Sequence, residues 1–279
     1  MMNYILLLRV TQWIKNFIIF FVLIAINKIQ TIFTIDSLYH FFSFSLMASS
    51  IYCINDINDK TDDLKNNYKK KRPIANGKIS IKKALVISIV LFILSLYLNF
   101  FLKNLDTFLL LIVYFFLALF YTLVIKKIIF LDIIVLTLFY VLRVIYGSFA
   151  FDIELSNFLI LFSFFFFLGL SSIKRITNID KHSLYSIDHQ SLLKKIPLIS
   201  LLIVIFLLIF YVFFLDAQLY YMNLKFLKLS LLTIVFWNFY LIFITLKNKI
   251  KIDPIEYCIK DKFSWIFFIS TLLFYALSI

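Results

Sequence analysis

The chain has 279 residues, 63% of them hydrophobic and only 15% charged, with a net charge of +13 and a mean hydropathy of +0.99. That is more apolar side chain than a water-facing globule of this size can bury, and far more than a disordered chain carries, so both classes are excluded. Three glycines leave no room for a glycine-rich phosphate loop or a collagen-like repeat, and most of this surface must face lipid.

A spanning helix needs about 20 apolar residues to cross a ~30 Å hydrocarbon core. Nine segments answer to this: 15–26, 38–54, 84–102, 107–125, 128–149, 155–173, 197–215, 226–246 and 263–277. The first is short unless it borrows residues 5–13, a stretch that also suits lying flat at the interface. The runs are continuous rather than alternating, which argues against a barrel. The expectation is an all-α polytopic bundle of nine transmembrane helices, folded as a single membrane domain over 1–279.

Orientation follows from the basic residues. With the amino terminus in the cytoplasm, 23 of the 28 Lys and Arg fall in inside segments, four in outside loops, and Arg143 within a helix. This arrangement puts the carboxyl terminus outside, in a bacterial inner or plasma membrane. It makes 55–83, 174–195 and 247–262 the cytoplasmic loops. The positive charge belongs with anionic lipid; nothing points to nucleic acid. Pro73, Pro197 and Pro254 fall in inside loops or at a helix start, where a missing N–H is tolerated. Arg9 and Lys15 interrupt the apolar amino end, so it does not read as a cleavable signal peptide. Cys53 and Cys258 suggest neither a disulfide framework nor a metal site, and His40, His182 and His189 lack ligand-like spacing.

The chemistry concentrates where the second segment ends, at Asn55-Asp56-x-x-Asp59-x-x-Asp62-Asp63. On a helix Asp56, Asp59 and Asp63 lie at i, i+3 and i+7, so they stack on one face, with Asn55 four residues before Asp59. Like charges held together raise one another's pKa, and a divalent cation relieves them. Mg²⁺ prefers oxygen ligands and bridges carboxylates to substrate phosphates. Lys69-Lys70-Lys71-Arg72-Pro73 follows at once. Acids and then bases at a membrane surface suit a metal–diphosphate, with metal on one side and Lys or Arg on the other.

Asn55-Asp56-x-x-Asp59-x-x-x-Asp63 resembles the first aspartate-rich motif of the UbiA superfamily of intramembrane prenyltransferases. That resemblance implies nine helices, a cytoplasmic cap over the active site, and Mg²⁺ bridging a diphosphate. The pattern is most similar to the decaprenyl-phosphate phosphoribosyltransferase branch. Arg9-x-x-Gln12-Trp13-x-Lys15-Asn16, Lys69-x-x-Arg72-Pro73-Ile74-Ala75-x-Gly77, Tyr121-x-x-x-x-Lys126 with Leu131-Asp132, Leu142-Arg143 with Gly147, Lys174-Arg175, and Asp253-Pro254 with Asp261-Lys262 all resemble its motifs in order. Val10 stands for a Pro, Asn66-Asn67 for His-Pro, and Asn178 for a Glu.

The superfamily members that use prenyl diphosphates carry a second D-x-x-x-D motif after the sixth helix. Here Lys174-Arg175 stands in that loop, and Asp180 and Asp188 are too far apart to form the motif. Basic residues suit an extra phosphate, on a polyprenyl phosphate or on a phosphoribosyl donor. Asp56, Asp59, Asp63 and Lys126 are therefore expected to be catalytic, with Asn55 joining the three aspartates around Mg²⁺. Lys15, Asn16, Lys69, Arg72, Tyr121, Asp132, Arg143, Lys174 and Arg175 are expected to bind substrate. The implied reaction moves 5-phosphoribose from phosphoribosyl diphosphate to a polyprenyl phosphate lipid. Two alternatives are an aromatic prenyltransferase of quinone or haem type, using a polyprenyl diphosphate, and a non-catalytic transporter or scaffold. Arg143 lies well inside a helix, where a charge costs ~2.5–3.5 kcal/mol on insertion scales, so it needs a polar partner.

Overall fold

Polar caps mark where the apolar helices start. Thr34, Ser80, Asn104, Asn223, Asp253 and Asp261 each accept a backbone N–H at a helix entry. The computed structural model describes residues 2–65, 69–177, 185, 187–214 (187 and 188 by backbone alone), 221–250 and 253–279. Asn66, Asn67, Asn178, Asp180, His182 and the Asp188 side chain lie outside the described residues. The helices are α1 (Met2–Leu8), α2 (Phe21–Ala25), α3 (Ile35–Asn58), α4 (Lys60–Lys65), α5 (Ile81–Phe100), α6 (Leu105–Leu123), α7 (Leu131–Ala150), α8 (Asn157–Thr177), α9 (Ile187–Phe214), α10 (Leu224–Leu246), α11 (Pro254–Lys260) and α12 (Lys262–Ala276). Short 3₁₀ turns lie at Ile29–Phe33, Lys69–Lys71 and Ile125–Lys127, and a longer 3₁₀ helix covers Val10–Phe20. No strand occurs among the described residues.

Among the described residues, seven helical stretches are long and apolar enough to cross a membrane: Met2–Ala25, Ile81–Phe100, Leu105–Lys127, Leu131–Ala150, Asn157–Thr177, His189–Phe214 and Leu224–Leu246. The protein is thus an integral membrane protein. Two of the nine expected spans differ. α3 has 24 residues but carries Asp36, His40, Asp56 and the buried serines 37, 43, 45, 49 and 50. α12 has 15 residues. The first span does incorporate the preceding residues, and it bends at Arg9, whose φ of 49° is left-handed. Pro197 is a correction: it lies inside α9, ten residues past that helix's first residue, rather than at a helix start. Its ring removes one helical hydrogen bond, which the rest of a 28-residue helix tolerates.

Packing divides the chain into two units: Met1–Lys127 with Leu142–Leu155, and Ile128–Val141 with Ser156–Ile279. In the first, α3 and α5 are joined by two serine pairs, the first of them reciprocal. Ser43 Oγ donates to the Ser95 carbonyl at 2.8 Å and Ser95 Oγ to the Ser43 carbonyl at 2.7 Å. Seven residues along each helix, Ser50 and Ser88 meet at 3.1 Å, and Ser88 also donates to the Ser50 carbonyl at 2.9 Å. Small residues let the backbones approach, which is the usual basis of helix association in lipid.

The 3₁₀ helix runs antiparallel to α3. Trp13 Nε1 donates to Ser49 Oγ and Asn16 Nδ2 to Ser45 Oγ, both at 2.9 Å. Three residues of 3₁₀ helix rise about 6 Å, as do four of α-helix, so the tighter winding keeps the two rows in register. At Gly147 a Cβ would fall 2.0 Å from the Ile19 carbonyl oxygen, so only glycine allows α7 this close to the 3₁₀ helix.

The second unit pairs α8 with α9, where Gly169 faces Ser200, and α10 with α12, where the Thr233 and Thr271 hydroxyls meet at 2.7 Å. Phe158 stacks on Tyr211 at 4.5 Å and Tyr140 on Phe167 at 4.7 Å.

Candidate active site

The acidic cluster forms on a helix that is interrupted by a single residue. α3 ends at Asn58 and α4 begins at Lys60, yet Asp59 N–H still donates to the Asn55 carbonyl at 2.9 Å and Asp63 N–H to the Asp59 carbonyl at 2.8 Å. The near-continuous winding keeps Asp56, Asp59 and Asp63 on a common side. Asp56 and Asp63 are buried, Asp59 is half-buried and Asp62 is exposed.

Each buried acid is matched to a cation. Arg72 Nη1 bridges two of them, 3.1 Å from Asp56 Oδ1 and 2.8 Å from Asp63 Oδ2. Arg9 also pairs with Asp56, and Lys126 with Asp59. Asn55 Nδ2 donates to Asp59 Oδ2 at 3.1 Å. Burial nevertheless holds the Asp63 carboxyl above the ordinary carboxylate range, against the lowering pull of Arg72. Arg72 is presented by a buried turn. The Ile79 N–H donates to the Pro73 carbonyl at 3.0 Å, and Gly77 takes a φ of 76°. Ile74 and Ile79 seat the turn against Leu7, Cys53, Ala84 and Leu91. The exposed Lys69 opens the same loop.

Asp56 Oδ2 is buried and has no hydrogen-bond partner among the described residues. A buried, orphaned carboxylate oxygen is the kind of hard donor that Mg²⁺ takes. No three His, Cys, Asp or Glu side chains converge on one point among the described residues. With Arg9, Arg72 and Lys126 as counter-charges, the aspartates are held by cations rather than by one another.

Arg143 and Asn16 form a separate buried group in the same unit. Arg143 Nε donates to Asn16 Oδ1 at 2.9 Å and Nη2 to the Tyr114 hydroxyl at 3.2 Å. The guanidinium also lies over the Phe44 and Tyr114 rings at 5.1 and 5.4 Å. An amide oxygen, a phenol and two π faces thus meet the polar requirement of a charge inside a helix. Lys15 is buried beside Asn16, and Tyr121 is half-buried near the end of α6.

In the second unit, Asp132 is fully enclosed at the start of α7. It accepts the Tyr185 hydroxyl and pairs with Arg175 of α8. Lys174 turns to a different acid, Asp253, at 3.6 Å. The expected substrate residues therefore fall into distinct groups. Arg72 and Lys126 join the aspartates, Asn16 joins Arg143, Asp132 joins Arg175, and Lys174 joins Asp253. Four participants were not among the candidates: Arg9 and Asp253, which stand in the resembling motifs, and Tyr114 and Tyr185, which no local pattern marks.

Comparisons with known proteins bear on the family and the fold. Two curated relatives match part of the chain. One is the uncharacterized protein y4nM of Sinorhizobium fredii, 31% identical over 170 residues (60% of this chain and 33% of that protein). The other is the decaprenyl-phosphate phosphoribosyltransferase of Corynebacterium glutamicum, 32% identical over 180 residues (63% of this chain and 54% of that protein). The chain spans about a third to a half of the length of these relatives. Among solved structures, a UbiA homologue from Archaeoglobus fulgidus bound to DMAPP and Mg²⁺ has the same fold. Its TM-score is 0.74 at 18% identity, covering 98% of this chain and 96% of that one. A digeranylgeranylglyceryl phosphate synthase follows, with a TM-score of 0.62 at 24% identity, covering 99% and 97%. Residues 16–254, which hold the aspartates, Arg72, Lys126 and the Asp132 group, match the UbiA prenyltransferase family model, and the chain belongs to that family.

Proposed function

We propose that the protein transfers 5-phosphoribose from phosphoribosyl diphosphate to a polyprenyl phosphate, with Mg²⁺ as cofactor, on the cytoplasmic side of the membrane. The observation that carries this reading is Arg175 at the end of α8, with Lys174 beside it. There a basic pair stands where a second acidic motif would serve a prenyl diphosphate. The partial match to a decaprenyl-phosphate phosphoribosyltransferase supports it.

Asp56, Asp59 and Asp63, with Asn55, would hold the metal, which when bound neutralises the departing diphosphate. Arg72, Lys69 and Lys126 supply fixed positive charge to the phosphate oxygens. The bond from ribose C1 to the diphosphate oxygen breaks, and its electron pair leaves with the diphosphate. An oxygen of the acceptor phosphate forms the new bond to C1. That oxygen is already anionic, so no general base is needed and no histidine takes part. The apolar helix faces accommodate the lipid tail.

Prenyl transfer to an aromatic acceptor is the second reading, favoured by the DMAPP and Mg²⁺ bound in a structure of the same fold. The deciding experiment incubates purified protein and Mg²⁺ with labelled phosphoribosyl diphosphate and polyprenyl phosphate, beside a labelled prenyl diphosphate with an aromatic acid. We expect label in the lipid phosphate product. Label in the aromatic product alone would replace the first reading by the second.

A further inference from the structure

The group around Asp132 has an order to it. Its Oδ1 accepts the Tyr185 hydroxyl, and its other oxygen faces Arg175 Nε. The same hydroxyl accepts the Phe130 backbone N–H at 3.1 Å. Phe130 holds a left-handed φ of 63°, which a bulky aromatic residue adopts only when its surroundings enforce it. The Tyr185 ring packs with Ile133, Ile176 and Leu193. Its one polar atom is thus committed to two partners in an apolar setting. Burial and the adjacent carboxylate keep that phenol protonated, as a donor to Asp132 requires.

Exposure decides which member meets a ligand. Asp132 is 0% exposed and Tyr185 4%, whereas the Arg175 side chain is 23% exposed. The aspartate, expected as a direct substrate contact, has no exposed face in this structure. It aims the arginine instead. We infer that Tyr185 and Asp132 are positioning residues, holding Arg175 in the orientation with which it binds a phosphate monoester of the substrate. This rests on the anion-binding role given to Arg175 above and names its ligand class. The monoester has two sources, the 5-phosphate of the donor sugar or the phosphate of the lipid acceptor.

The test measures binding of ribose 5-phosphate and of a short-chain polyprenyl phosphate to the full-length protein in lipid nanodiscs, with inorganic diphosphate as a control. Variants are Tyr185→Phe, Asp132→Asn, Arg175→Gln and the double Tyr185→Phe/Arg175→Gln. One monoester should bind about tenfold more weakly to each single variant, with diphosphate unchanged. The double should be no worse than Arg175→Gln, because a positioning residue has nothing left to position. Which monoester responds identifies the source. Unchanged affinity for both monoesters, or losses that multiply in the double variant, overturns the inference. Should Tyr185→Phe fail to fold, Asp132→Asn keeps the shape and the hydrogen bond from Tyr185 while removing the charge that aims Arg175. Unchanged monoester binding in Asp132→Asn overturns the inference equally. None of these measurements requires turnover, so failure of the phosphoribosyl reaction and failure of this inference are separate results.

Discussion

Arg72 reaches two buried aspartates with one nitrogen, and with Arg9 and Lys126 it gives three carboxylates three counter-charges. The cluster therefore does not need a metal to hold its shape, although the proposed reaction does. Chelation should abolish turnover, restored by Mg²⁺, while the thermal midpoint in detergent moves by only a few degrees. A collapse of the midpoint on chelation would make the metal structural. Asp59→Asn should lower the rate by about two orders of magnitude or more in a protein that still inserts and unfolds normally, and undiminished activity would remove the aspartate from the chemistry. The aspartates were legible in the sequence because i, i+3 and i+7 is a local pattern. Their partners were less so. Arg9 lies 47 residues from Asp56 and Tyr185 lies 53 from Asp132, and no periodicity reports a contact over that distance. Arg143 was legible as a buried charge in need of a partner; that the partner is Asn16, 127 residues away, was not.

At the scale of the helix, hydropathy located the apolar segments well and their ends poorly. α9 begins ten residues before the expected 197, because Pro197 sits inside a helix that other bonds sustain. α3 is less apolar than a lipid-facing span because its serines face neighbouring helices: Ser43 and Ser50 meet α5, while Ser45 and Ser49 meet the 3₁₀ helix. Their heptad spacing sorts the effects of substitution. Ser50→Ala removes hydrogen bonding alone and should cost about 0.6 kcal/mol, the average for such bonds in membrane proteins. Ser50→Leu adds bulk between backbones and should cost about 1–3 kcal/mol or more. Equal unfolding free energies for the two variants in reversible detergent denaturation would show that close approach is not what Ser50 provides.

For the whole molecule, composition and charge gave the class directly: a helical membrane protein, as the family assignment bears out. Orientation is the charge-based proposal that can be read independently of activity. Single cysteines placed at Lys28, Lys103 and Lys225 in a cysteine-free background should react with a membrane-impermeant maleimide on intact cells. Cysteines at Lys70 and Lys78 should react only after permeabilisation, and the reverse pattern would invert the topology.

The serine contacts between α3 and α5 have one more consequence. α3 and α5 are the two stems of the segment 59–80, which contains Asp63, Lys69 and Arg72, and Ser50 and Ser88 clamp those stems close to where the segment leaves and returns. The segment is thereby a cassette mounted on a fixed socket. A graft of the equivalent stretch from a relative would be held by the same two stems, so any change in the phosphate end's binding would trace to the transplanted side chains.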